Sequence, residues 1–285
     1  MASAYDAASH RIILFGGFDG AHYLADTWAF DGKDWTQLSP QTSPPVRVAA
    51  GMAYDVPSHK LVLFGGYNGT AWLGDTWIYD SATNAWQQAN PKHPPRQGTG
   101  PSVFTEARSG HVIVYGGFDG SQKIGYSNHT LLWTGTDWRK MTSTPPSARS
   151  SAGAARDPRT QEVVLFDGLG SVNPYSTWVW KSHVWTQQSP TQMPPPRFSM
   201  GLACDTDLAG CILFGGDQGG LSLGDSWLWD GKAAQWQQFT AAGSPGAREA
   251  FAMQYFPPAR EIIVFGGLQA TAKKQQMLND TWTLQ

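Results

Sequence analysis

This chain is short of charge. Lys, Arg, Asp and Glu make up 15% of 285 residues, against about a quarter in ordinary soluble domains, and glutamate occurs four times in all. The net charge is −2 and no basic stripe is present, which argues against a nucleic-acid partner. Two cysteines and seven histidines occur with no His-x-His or Cys-x-x-Cys spacing, so nothing marks a metal site, and no cofactor is expected. No apolar run reaches the length of a bilayer span, so no membrane partner is expected. The opening residues, Met1 to Asp6, have neither the basic nor the apolar region of a signal peptide, and a cytoplasmic setting is the expectation. Sustained helical periodicity with caps is missing too.

What the chain has is glycine, 32 residues, and tryptophan, 14. Six hydrophobic runs each end in a glycine pair: Ile13 to Gly17, Leu63 to Gly66, Val114 to Gly117, Leu165 to Gly168 (with Asp167 in place of the first glycine), Leu213 to Gly216 and Val264 to Gly267. The first-glycine positions, 16, 65, 116, 167, 215 and 266, are 49, 51, 51, 48 and 51 residues apart. A period near fifty marks a repeat architecture. Repetition also supplies an internal control, because whatever recurs in every repeat is scaffold and function is sought in what one repeat alone carries.

Each unit reads as four short strands bounded by Gly, Pro, Asn and Asp. In the second unit these are Gly51 to Asp55, Lys60 to Phe64, Asp75 to Asp80 and Ala85 to Gln88. Tryptophan recurs in the third strand (28, 77, 178, 227, 282) and in the fourth (35, 86, 138, 185, 236), so ten of the fourteen are read as packing between neighbouring units.

The double glycine, the Asp-Thr-Trp strand, the later tryptophan and a Pro-x-Arg stretch together resemble the kelch repeat family, over essentially the whole chain. The resemblance implies an all-β fold, a six-bladed kelch-type β-propeller with four antiparallel strands per blade. The uninterrupted period makes residues 1–285 one domain, with blades at about 1–45, 46–95, 96–147, 148–196, 197–247 and 248–285. The sequence stops in a third strand, at Asp280 to Gln285, so blade six is expected to have three strands. Its open edge invites a homodimer through blade six, unless the sequence is a piece of a longer protein.

Cys204 and Cys211 fall opposite each other across a first-to-second-strand turn. A cross-strand disulfide is sterically possible, but two buried thiols are the expectation for a reducing compartment.

In kelch binding domains the loop-rich face carries the pocket, lined by residues after the double glycine and after the Pro-x-Arg arginine. Here the first set is Phe18, Tyr67, Phe118, Leu169, Asp217 and Leu268. The second is Val48, Gln97, Ser150, Phe198 and Glu249. The arginines themselves (47, 96, 149, 197, 248) recur and are read as scaffold, bonded to loop carbonyls or a nearby carboxylate. Phe18, Tyr67 and Phe118 either plug the channel mouth or form an apolar wall for a ligand.

Departures from the repeat point more sharply. Asp217 and Glu249 stand where other blades carry apolar or neutral residues, at adjacent positions of blades five and six. Two such carboxylates in a partly apolar mouth raise one pKa, as acid–base chemistry needs; alternatively both face water, or Glu249 pairs with Arg248 or Arg197. Asp167 must be accommodated where glycine normally allows backbones to meet. The loops 117–129 and 267–280 are long and lie opposite each other, which suggests two flaps and a cleft. The iron pattern of the specifier proteins, E-x3-D-x3-H, is absent, and the copper site of galactose oxidase cannot be placed on either cysteine.

The sequence thus points to a ligand-binding propeller. Its aromatic and acidic cleft, formed by Phe18, Tyr67, Gln97, Phe118, Ser150, Asp167, Leu169, Phe198 and Leu268 with Asp217 and Glu249, would take a small organic or peptide ligand. The alternatives are a metal-independent enzyme (isomerase, cyclase or lyase type) using Asp217 and Glu249 as acid and base, and a protein–protein scaffold.

Overall fold

The apolar run before each glycine pair is buried on both faces, which requires neighbours on both sides. Ile12 to Phe15, Leu61 to Phe64, Val112 to Tyr115 and Val163 to Phe166 are all at or below 3% exposure. In the computed structural model these runs are the second strands of six antiparallel sheets. The structure describes residues 1–284 apart from 97, 122–124, 171, 173–174, 206–209 and 241–242.

Blade one comprises Ala2–Asp6, Arg11–Phe18, Tyr23–Phe30 and Trp35–Leu38; blade two Gly51–Asp55, Lys60–Phe64, Thr76–Asp80 and Ala85–Ala89. Blade three comprises Ser102–Thr105, Val112–Tyr115, Thr130–Trp133 and Trp138–Lys140; blade four Gly153–Asp157, Glu162–Phe166, Thr177–Lys181 and Val184–Gln188. Blade five comprises Gly201–Cys204, Cys211–Phe214, Ser226–Asp230 and Gln235–Phe239. Blade six has three strands, Ala252–Phe256, Glu261–Ala270 and Gln275–Leu284. First strands of successive blades touch one another, and that of blade one touches that of blade six, so the blades close a ring around a central channel. No helix occurs among the described residues.

Two side-chain devices join the blades. The first is a staple from each fourth-strand tryptophan to the preceding blade. The indole N–H of Trp86 donates to Thr27 Oγ1, Trp138 to Thr76, Trp185 to Thr130 and Trp236 to Thr177, all at 2.9–3.0 Å. Trp35 closes the ring by the same bond, to Thr281 at 3.0 Å.

The second device is a relay of arginine, aspartate and tryptophan. Arg47 donates to the carbonyl of Gly65 and, bidentate, to Asp75, which also accepts from the Trp77 indole. Arg197 with Asp225 and Trp227, and Arg248 with Asp280 and Trp282, repeat the arrangement. The Arg248 guanidinium holds Asp280 down at about 2, against the burial that raises it. In blade four Ser176 stands for the aspartate, taking Arg149 and Trp178, and the missing charge reappears at Asp167. These four arginines are 1–2% exposed, as scaffold requires. Arg96 is the exception: its side chain is 59% exposed and only pairs with Asp119, at 3.5 Å. The residue in the corresponding backbone place is Gly98, whose carbonyl accepts from Gly66 N–H as that of Arg149 does from Gly117.

The first glycine of each pair has φ of 62 to 74°. A Cβ there would lie 2.6 Å or less from a backbone oxygen in four blades, the carbonyls of Arg47, Gly98, Arg149 and Arg248. Asp167 adopts the same left-handed conformation, φ 50°.

The cysteines correct the sequence expectation of free thiols: Cys204 and Cys211 form a disulfide. They are direct partners across the strand pair, Cα atoms 3.9 Å apart, so the register places one sulfur against the other.

Candidate functional site

The loops that leave the second strands share a local design in blades one to three: an aromatic residue, then Asp or Asn, then Gly. Asp19 Oδ1 accepts from the N–H groups of Ala21 and His22, Asn68 Oδ1 from Thr70 and Ala71, and Asp119 Oδ1 from Ser121. These side-chain turns need the left-handed glycines 20, 69 and 120 that follow. Each loop then returns an aromatic ring against the first one. Phe18 meets Tyr23 at 5.1 Å between ring centres, Tyr67 meets Trp72 at 5.3 Å and Phe118 meets Tyr126 at 5.0 Å.

Neighbouring pairs touch as well, Tyr23 with Tyr67 at 6.0 Å and Trp72 with Phe118 at 6.2 Å. Six rings thus run without a break across blades one, two and three. The glycines make the bed for them: Tyr23 packs where a Gly69 side chain would be and Trp72 where a Gly120 side chain would be. Phe18 is 37% exposed, so the arc presents ring surface to solvent.

Inside the arc lies the channel mouth, a cup of about 450 Å³. Phe18, Leu268, Met277 and Phe251 contribute its apolar wall. Its floor is a collar of backbone hydrogen bonds at the four junctions from blade two to blade six. Gly100 N–H donates to Ala49 O, Ser151 to Gly100, Ser199 to Ser151 and Ala250 to Ser199, at 2.6–3.0 Å. All five residues have positive φ, between 49 and 63°, and small or absent side chains let the backbones converge. Two further cavities lie along the channel, one of about 180 Å³ among the first strands and one of about 460 Å³ at the opposite mouth.

The acidic residues lie on the same face. Asp217 and Glu249 are 8% and 7% exposed, and the Asp217 carboxyl is near enough to act on the ionisation of Glu249. Burial, with the Asp217 charge next to it, pushes Glu249 up to about 7. Gly220 N–H donates to Asp217 Oδ1 at 2.7 Å, and Ser222 Oγ reaches Glu249 Oε1 at 3.5 Å. Arg197 and Arg248 are turned to Asp225 and Asp280, leaving the acids to each other.

The remaining sequence candidates divide among several places. Phe18 and Leu268 line the cup, whereas Tyr67 and Phe118 stand in the aromatic arc rather than at the mouth. Asp167, Leu169, Phe198 and Asp217 line a separate hollow of about 220 Å³ between blades four and five. Asp167 is 2% exposed, accepts from the Arg197 backbone N–H, and is pushed up to about 6 by burial. Ser150 is buried and pairs with Leu169. Gln97 lies outside the described residues; the residue bridged to Phe118 is Thr99, two positions on. Among the described residues, only the blade-six loop of the two long loops lines the cup. The blade-six hairpin leans on blade one, with Met277 beside Gly20, and none of the described residues of 118–129 lines the cup.

Tyr23, Trp72 and Tyr126 were not among the candidates. Their signal was available: each is an aromatic on the return side of a loop whose first residue is aromatic. Among the described residues no three His, Cys, Asp or Glu side chains gather as metal ligands would.

Architecture and repeat chemistry together define a six-bladed propeller of kelch-type blades. The family model for the KLHDC2/KLHL20/DRC7 Kelch-repeats domain matches residues 1–155, and the chain belongs to the kelch-repeat family. No curated protein matches it.

Proposed function

We propose that this protein is an interaction propeller that holds an extended peptide segment on its loop face. An apolar side chain of the peptide enters the cup between Phe18, Phe251, Leu268 and Met277, and neighbouring residues lie on the aromatic arc. A lysine or arginine of the same segment reaches the Asp217–Glu249 pair, where a cation offsets the cost of ionising two adjacent buried acids. The observation that carries this reading is the apolar cup flanked on one face by exposed rings and a carboxyl pair. The two acids also suit acid–base chemistry. However, both are almost fully buried and already held by Gly220 and Ser222, an arrangement better matched to holding charge than to exchanging protons with a substrate.

The test is a display of random twelve-residue peptides selected on the immobilised protein, then affinity measurement of the winners. Enriched peptides should carry an apolar anchor and a basic residue at fixed spacing. Phe18→Ala and Glu249→Gln should each weaken them at least tenfold. Enrichment of peptides without a basic residue, or affinities unmoved by Phe18→Ala, would overturn the reading.

A further inference from the structure

Blade three departs from its sisters at four positions at once, three of which, His129, Leu131 and Lys140, adjoin one another. Where the relay has arginine it has Gly98, where the relay has aspartate it has His129, and where the relay has tryptophan it has Leu131. The residue paired across the strands from that tryptophan is Gln37, Gln88, Gln187 and Gln238 in blades one, two, four and five. In blade three it is Lys140, paired with Leu131. A cavity of about 350 Å³ lies between blades two and three, lined by His129 and Leu131 among others.

The cavity has two ends. Phe64, Val114 and Leu131 make an apolar end, and Leu131 stands at the strand position where sister blades carry the indole. At the polar end stand Arg96 and His129, with Lys140 Nζ 3.1 Å from His129 Nε2. Among the described residues, the only carboxylate lining the cavity is Asp119, and it is already paired with Arg96 and the Ser121 N–H. Burial, together with Lys140 and Arg96, lowers the pKa of His129, as expected of a site with surplus positive charge. Lys140 has two further N–H donors beyond the one directed at His129.

We propose that the junction of blades two and three is a binding pocket for a small aromatic carboxylate. The ring occupies the apolar end at Leu131, and the carboxylate takes the place of the missing aspartate, facing Lys140, His129 and Arg96. A guanidinium from a partner, the other group missing here, would meet these cationic groups without the aspartate that balances it in sister blades.

The probe is indole-3-carboxylate, titrated calorimetrically, with indole and acetate as single-feature controls. Saturable binding at least tenfold tighter than for either control is expected, weakened about tenfold by Arg96→Gln and by Lys140→Gln. The triple variant Gly98→Arg, His129→Asp, Leu131→Trp rebuilds the sister relay. It should abolish binding and raise the melting temperature, since a Cβ at Gly98 meets nothing closer than 3.9 Å. Should that variant fail to fold, Leu131→Trp alone fills the ring space and must abolish binding. No saturable heat up to about 10 mM probe, equal binding of indole and its acid, or binding that survives Leu131→Trp would overturn the proposal.

Discussion

Replacing Glu249 by glutamine should make the protein more stable at pH 8 and leave it nearly unchanged at pH 5. Unfolded, this side chain ionises at its ordinary value near 4.5; folded, it keeps its proton until about 7. Between those values the native state binds more protons than the unfolded state, so stability falls as pH rises and stays low above about 7. A shift of that size corresponds to about 3 kcal/mol at 1.36 kcal/mol per unit. Water at the rim screens the pair, and about 1 to 2 kcal/mol is the expected loss. Glutamine has nearly the same shape, cannot ionise, and can donate its amide to Asp217. Urea denaturation midpoints at pH 5, 6, 7 and 8 read the effect directly: both proteins share the decline that Asp167 contributes up to about pH 6, wild type falls more steeply than the variant between pH 5 and 7, and the separation is complete at pH 7 and 8. Parallel curves, or a variant less stable at pH 8, would refute the action of Asp217 on the ionisation of Glu249.

Two further outcomes follow from the scaffold. Asp75→Asn leaves the fully buried Arg47 guanidinium without its counter-charge and should cost about 3 kcal/mol in urea denaturation, whereas Arg96→Met, at an exposed pair, should cost under about 0.5 kcal/mol. Reduction of the Cys204–Cys211 disulfide, which closes a short loop of sequence separation 7, should lower stability by about 2 kcal/mol at most, read as a drop of a few degrees in melting temperature with reductant present. No change with reductant would return the cysteines to the thiol state.

The blades were legible because their signals repeat. The glycine pair is forced by backbone oxygens within 2.6 Å in four of the blades, and the tryptophans are fixed by hydroxyls one blade back, so each leaves the same mark at the same interval. The adjacency of Asp217 and Glu249 was legible for the same reason. Arg96 shares the Pro-x-Arg pattern but not the backbone place of the other four arginines, which Gly98 takes. The better signal was distance, since Arg47, Arg149, Arg197 and Arg248 each precede a first strand by four residues, whereas Arg96 lies six before Ser102. The aromatic arc escaped because its rings come from loops, whose lengths vary and whose contacts cross blades. The disulfide shows another limit: register brought Cys204 to Cys211 in the reading, but the residue types alone do not set oxidation state.

The bond from Trp35 to Thr281 has a meaning for how the molecule assembles. It is chemically the same as the bond from Trp86 to Thr27, yet it spans 246 residues of chain instead of 59. Chain entropy makes the longer closure costlier by only about 1 kcal/mol, a logarithmic penalty. The final junction is therefore almost as firm as the others once made. The expected sign of the extra closure cost is a Trp35 indole proton that exchanges somewhat faster than that of Trp86, and equal exchange would show that the ring opens at no preferred junction.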